Sequence, residues 1–229
     1  MLRFSPLTLA ILALASNQAL ADSSTYFQTQ TGNDNNAEAA QIDANNAINN
    51  IRQTGDGNLA LVKQTGDGHT MAIRSSGNGN EIHAGAGWQP TTEGQSGTAQ
   101  RATLIQKGDN NSIELSQSGS ANVLHFVQDG HDIKLNVQQR DANNRITGSS
   151  MGDSHSVDII QNGKANALAI TQHYGYGNDA VISQQGSANY ASLNQSGAIN
   201  SATVNQSGLN QTAHVRQEGM RNTVGVTQQ

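Results

Sequence analysis

The side chains capable of breaking bonds are few in this chain and poorly placed for it. Glu114, Asp129 and Asp132 are carboxylates of the type that cleave polysaccharide in the groove of some parallel β-helices, but they fall at turns or outward positions and do not converge. The 7 histidines are scattered, without the i, i+4 or strand i, i+2 pairing with acidic neighbours that a metal centre needs. Gly175-Tyr176-Gly177 lacks the strand-to-helix context of a phosphate loop, and Asn110-Asn111-Ser112, Asn194-Gln195-Ser196 and Asn205-Gln206-Ser207 match a glycosylation pattern only through repeat composition. No enzyme activity, metal or cofactor is expected.

The abundant chemistry is that of the side-chain amide, which both donates and accepts hydrogen bonds. Glutamine returns at a spacing of eleven at Gln53 and Gln64, at Gln106, Gln117, Gln128 and Gln139, at Gln161 and Gln172, and at Gln184, Gln195, Gln206, Gln217 and Gln228. Asparagine keeps the same beat at Asn58, Asn80, Asn111, Asn122, Asn144, Asn166, Asn189, Asn200 and Asn222. Repetition on this scale dictates a repeat architecture. These residues are the expected stacking and self-assembly positions.

The elements that carry them follow from spacing. Asn111, Ile113, Leu115 and Gln117 lie two apart, as do Asn200, Ala202, Val204 and Gln206, which places each set on one face of a strand. Ser112, Glu114 and Ser116 alternate with the first set on the solvent face. Gly119, Gly197 and Gly208 follow a glutamine by two and mark turns where positive φ is tolerated. Two such strand-turn units make a flat coil of about 22 residues, and coils stack at about 4.8 Å. The expected fold is all-β: a two-sheeted β-solenoid of the cross-β kind, with eleven-residue half-repeats. Gln above Gln and Asn above Asn then satisfy the polar half of the interior.

Composition agrees. Hydrophobic residues make up 34% of the chain and aromatic residues 3%, too little for a conventional core, and cysteine is absent, so disulfides cannot replace one. Two buried apolar side chains per unit contribute roughly 3 to 6 kcal/mol, whereas ordering eleven residues costs on the order of 16 kcal/mol. One unit therefore gains order only on a neighbour. The formal charge of -5 argues against a nucleic-acid partner.

Residues 1–21 have the charge, apolar stretch and Ala19-Leu20-Ala21 ending of a secretory signal, with cleavage expected between Ala21 and Asp22 and no membrane span in the mature chain. Residues 22–29 are expected to be unpatterned. A first repeat block spans 30–84, a loop or break containing Trp88 and Pro90 spans 85–98, and a second block spans 99–229. Local bulges are expected where Asp141, Gly148 and Ser150 replace the usual residues, and where Tyr174 and Tyr176 lengthen a turn. The beat persists to Gln228, so an uncapped growing edge is expected there.

Segments such as Ala60-Leu61-Val62-Lys63-Gln64-Thr65-Gly66, and the run from Gln195 through Ala202 and Val204 to Gln206, resemble the curlin repeat, A-x-V-x-Q-x-G-x-x-N-x-A-x-V-x-Q, over nearly the whole mature chain. The resemblance implies a secreted subunit of curli, the bacterial surface amyloid that serves adhesion and biofilm matrix. It implies as partners further copies of the chain, a second curlin subunit, an outer-membrane secretion channel and periplasmic chaperones. It also implies that Gly55, Asp56, Gly66, Asp67, Gly108, Asp109, Gly152 and Asp153 act as brakes on aggregation. The chain departs from the best-known members in its greater number of repeats, in placing His69, His155 and Gln211 in asparagine slots, and in lacking a glycine-rich leader. Its basic last unit, with His214, Arg216 and Arg221, is more like the minor, nucleating subunit. That role, and a monomeric β-solenoid binder, are the alternatives to a bulk fibre subunit.

Overall fold

The computed structural model describes residues 24–43, 45, 47–85 and 94–229, and every regular element among them is a strand. The expected signal sequence with Ala21 and Asp22, and Trp88 with Pro90, lie outside the described residues. In chain order the strands are β1 (Thr25–Thr31), β2 (Asn36–Ile42), β3 (Ile48–Thr54), β4 (Leu59–Asp67), β5 (Thr70–Ser76), β6 (Glu81–Ala84), β7 (Gly94–Thr98), β8 (Arg101–Lys107), β9 (Ser112–Ser120) and β10 (Val123–His131). They continue as β11 (Lys134–Ala142), β12 (Arg145–Asp153), β13 (Ser156–Lys164), β14 (Ala167–Tyr176), β15 (Asp179–Ser187), β16 (Tyr190–Ala198), β17 (Ser201–Leu209), β18 (Thr212–Met220) and β19 (Thr223–Gln228).

The strands divide between two parallel sheets, so the expected two-sheeted β-solenoid is what the chain forms. The first sheet runs β1-β3-β5-β8-β10-β12-β14-β16-β18, and the second runs from β2 through β4, β6, β9, β11, β13, β15 and β17 to β19. Each strand pairs with the one a full coil later, as Leu124 does with Ile146 and Gln128 with Ser150. Alternation then sends every second side chain inward. Ile113, Leu115 and Gln117 are buried on β9, while Glu114 between them is exposed.

The apolar pairs of the two sheets meet in one continuous core from Ile51 to Val215. Phe126 is the largest side chain in it, and its space is left by a neighbour: a Cβ added to Gly148 on the next strand would lie 2.5 Å from the Phe126 ring and 2.5 Å from Ile170. The expected bulge at Gly148 and Ser150 is therefore absent, because both residues pair in register with β10 and with β14 and glycine there accommodates the ring. The bulge at Tyr174 is present: register shifts between Met151 and Asp153 opposite β14, and Tyr174 takes φ 61°.

Two further expectations change. The first strand begins at Thr25, inside the segment read as unpatterned, because Tyr26, Gln28 and Gln30 align with Asn49, Ile51 and Gln53 of β3. The pattern escaped notice because Tyr26, Gln28 and Asn49 are polar residues in slots that elsewhere hold apolar ones. The break at 85–98 is also narrower than expected. Together β6 and β7 make one rung, β6 pairing with the first half of β4 and β9 and β7 with the second half. The step from Gln64 to Gln95 is 31 residues instead of 22, and the next step, to Gln117, is 22 again. The two halves of the rung are thus separated in sequence, and both keep their register with β4 and β9.

Candidate functional site

The corners place the amides. Most residues two after a glutamine are glycines whose backbones stack too closely for a side chain: a Cβ on Gly186 would lie 2.1 Å from the Gly208 carbonyl oxygen, and φ there is +104°. Asp43, Asp141 and Tyr174 take this place at φ 47°, 66° and 61°, and at Asp141 β11 loses its pairing to β9. The position just before each asparagine slot also has positive φ but is roomier, which is why Ala121, Ala165 and Ala188 occupy it.

Within this frame the glutamines form two columns. In the second sheet Gln41, Gln64, Gln95, Gln117, Gln139, Gln161, Gln184, Gln206 and Gln228 each donate from Nε2 to the Oε1 of the next, at 2.7 to 3.1 Å. In the first sheet the bonds run Gln30 to Gln53, Gln106 to Gln128, and Gln172 through Gln195 to Gln217. Ser75 and Ser150 interrupt it, each hydroxyl facing the Oε1 of the next glutamine, at 3.4 Å and 2.8 Å. The same Nε2 groups also reach across the interior: Gln195 donates to the Asp179 carbonyl at 2.8 Å and Gln117 to the Arg101 carbonyl at 3.3 Å. Most of the inner glutamines, Gln139 and Gln184 among them, thus tie their sheet to the next coil and to the opposite sheet. All are buried except those of the outermost coils.

The asparagines form two corner columns. Asn200 donates its backbone N–H to Asn178 Oδ1 at 3.0 Å, while its own Nδ2 reaches Asn178 Oδ1, the Ser196 carbonyl and the Gly219 carbonyl. Asn58, Asn80 and Asn111 repeat this in one column. Asn122, Asn144, Asn166 and Asn189 make the second, where the backbone N–H of Asn122 donates to Gln100 Oε1 and those of the other three to the preceding asparagine Oδ1. Every site residue expected from the sequence lies in one of these columns.

Sequence reasoning missed several rungs. Gln95 was displaced from the beat by the 31-residue step, and Asn178 by the Tyr174 bulge. Gln100 and Ile133 hold asparagine slots as well, the latter supplying only its backbone N–H to Asn111 Oδ1. The expected substitutes behave as asparagine mimics. Nδ1 of His69 faces the Gln100 backbone N–H at 3.3 Å, and Nδ1 of His155 that of Asn178 at 3.1 Å. Nδ1 must accept, so Nε2 carries the hydrogen and donates to the Thr65 and Met151 carbonyls four residues back. Only the neutral ring fits this arrangement. Burial pushes both imidazole pKa values below the ordinary histidine value, outweighing the raising influence of those carbonyls and of Asp67 and Asp153.

The other titratable groups are dispersed. Glu114 lies on the outer face of the second sheet, whereas Asp129 lies on that of the first and faces Lys107 at 3.6 Å, and Asp132 occupies a corner. His83 does form an i, i+2 pair with Glu81 at 3.5 Å, a spacing passed over in the sequence, and His131 faces Asp109 at 3.7 Å. Among the described residues no group of three or more His, Cys, Asp or Glu side chains is arranged to hold a metal ion. The corner carboxylates of Asp56 and Asp109 accept the backbone N–H groups of Asn33 and Asn78, each at 2.7 Å, so acids alternate with amides in that column.

A backbone and side-chain ladder that repeats every coil can be continued by any chain with the same repeat. The curlin associated repeat family matches residues 50–77, 94–119, 175–208 and 197–229. No curated protein matches the chain closely enough to count as a relative. With its repeats on both sides of the excursion, and with glutamine and asparagine columns running through the stack, the chain belongs to the curlin family of curli-type amyloid subunits.

Proposed function

We propose that the chain is a secreted structural subunit of a curli-like fibre on the bacterial surface, serving adhesion and biofilm matrix, and that it polymerises by templated end-to-end stacking of strands. The observation that carries this reading is the coil-to-coil ladder, which runs undiminished through β18 and β19. Among the described residues β18 and β19 have no further strand beyond them, and their inward Ala213, Val215, Gln217, Val224, Val226 and Gln228 repeat the pattern of the coils before them. Gln217 and Gln228 accept from Gln195 and Gln206, continuing both glutamine columns into these strands. Such an edge recruits a matching strand. On this reading the partners are further copies and a second curlin subunit, after passage through an outer-membrane channel with periplasmic chaperones. The bulk-subunit role is preferred to the nucleating one because the basic last unit is partly neutralised: Arg216 pairs with Glu218.

Freshly desalted chain should show little β signal, then convert after a lag to thioflavin-binding fibres, with preformed fibres removing the lag. Replacing Gln206 and Gln217 by alanine should slow growth more than replacing the outward Thr203 and His214. A stable, fully β monomer that ignores seeds would reverse the reading in favour of a monomeric binder.

A further inference from the structure

The outer faces of the two sheets carry opposite charge. On the first sheet, β1, β3, β5 and β8 present Arg52, Arg74, Arg101 and Lys107 outward and no carboxylate. Arg145 on β12 extends the set. Arg52 and Arg74 are direct neighbours in register, a like-charge pairing that disfavours the isolated sheet. Of these cations only Lys107 has a carboxylate partner among the described residues. The second sheet presents Glu38, Glu81, Glu114, Asp158 and Asp179 outward, against Lys63, Lys134 and Arg140. Its acids crowd as well: burial raises the Asp158 pKa, and Asp179 raises it further.

The rows are also placed to meet. Gln106 on the first sheet reaches the Glu81 carbonyl, and Gln117 on the second reaches that of Arg101, so the end of a strand in one sheet backs onto the start of a strand in the other. Moving one solenoid along the sheet normal onto another therefore brings the row of Arg52 and Arg74 to within about one residue of the row of Glu38, Glu114 and Asp158. An arginine side chain spans the roughly 4.8 Å between strands and reaches whichever acid is nearest.

We propose that parallel filaments of this chain associate side by side, with the arginine face of the first sheet of one copy against the acidic face of the second sheet of a neighbouring copy. This rests on the fibre reading above. The contact joins two different faces, so it does not close on itself and extends into ribbons or bundles. Each exposed ion pair is weak and screened by salt, but every chain along a filament adds the same pairs, so the association strengthens with filament length. A second copy is favoured over a foreign polyanion because the complementary row is on the same molecule.

The test grows fibres of the full chain and measures bundle width by electron microscopy, with thioflavin signal recorded in parallel. Bundles are expected at low salt, and single filaments with undiminished thioflavin signal at about 0.5 M salt. The double variant Arg52→Glu with Arg74→Glu should give single filaments even at low salt, and adding Glu38→Lys and Glu114→Lys to it should restore bundles. Bundles that resist both salt and charge reversal would overturn the proposal. So would wild-type filaments that stay single at low salt and bundle only on addition of polyphosphate. Failure to form filaments under any condition would instead remove the fibre reading itself.

Discussion

The two glutamine columns serve the same purpose with different strictness. In the second sheet nine coils contribute an unbroken run from Gln41 to Gln228, and the run even crosses the excursion through Gln95. In the first sheet Ser75 and Ser150 stand in the column, and each serine still pairs in register with the strands on both sides. The difference teaches that parallel backbone pairing sets the register and that the amide column adds stability to it rung by rung. A rung can be lost where its backbone is well paired on both sides. The excursion leaves the second sheet with a divided rung at β6 and β7, and there Gln95 bonds on both sides, to Gln64 and Gln117.

The sharpest way to break this comparison is to put a serine in the continuous column. Gln139→Ser removes the acceptor of Gln117 and the donor to Gln161, and is expected to destabilise the fold by about 1 to 3 kcal/mol. Gln128→Ser, which already adjoins Ser150, should cost nearer ~1 kcal/mol. Denaturant midpoints of the two variants check the ranking. Equal losses would show that the columns are energetically alike and that the serines are accidents of sequence.

The histidines test the corner columns in the same manner. Their folded-state pKa values lie below the unfolded value, so the neutral ring's contribution is fully present above the unfolded pKa of about 6.5 and is lost as pH falls below it. Protonation would turn the Nδ1 acceptor into a second donor facing a backbone N–H. Stability should therefore drop between pH 7 and pH 5, and the drop should shrink in a His69→Asn, His155→Asn variant, where the usual corner residue is restored. An unchanged pH profile in that variant would assign the dependence to the surface groups instead. The smallest effect expected is a gain: Ser75→Gln should complete a rung of the first sheet and raise stability by about 0.5 to 1.5 kcal/mol, read from the same denaturation curves.

Much of this was legible in the sequence because each coil repeats the same physical problem. An inward residue at spacing two, a glycine where backbones touch and an amide at the corner recur often enough that strand, turn and column can be read without knowing the coil. Legibility failed wherever the beat carried the wrong residue type or was shifted. Tyr26, Gln28 and Asn49 fill core slots with polar groups, and Asn49 has no hydrogen-bond partner for its buried amide, so nothing in their chemistry announced a strand. Gln95 and Asn178 were out of phase by insertion. Gly148 looked like a defect because its compensation, the Phe126 ring, belongs to the preceding coil, 22 residues away, and becomes its neighbour only when coils stack.

The mid-strand departure after Ala84 and return at Gly94 has a consequence for anything built from this chain. Because both halves of that rung stay in register, the fold accepts added sequence at this point without disturbing the coils above and below. In a polymer of such subunits a peptide inserted there would recur once per subunit along one side of the filament. The filament would act as a ruler, presenting a grafted peptide at a fixed pitch along its length.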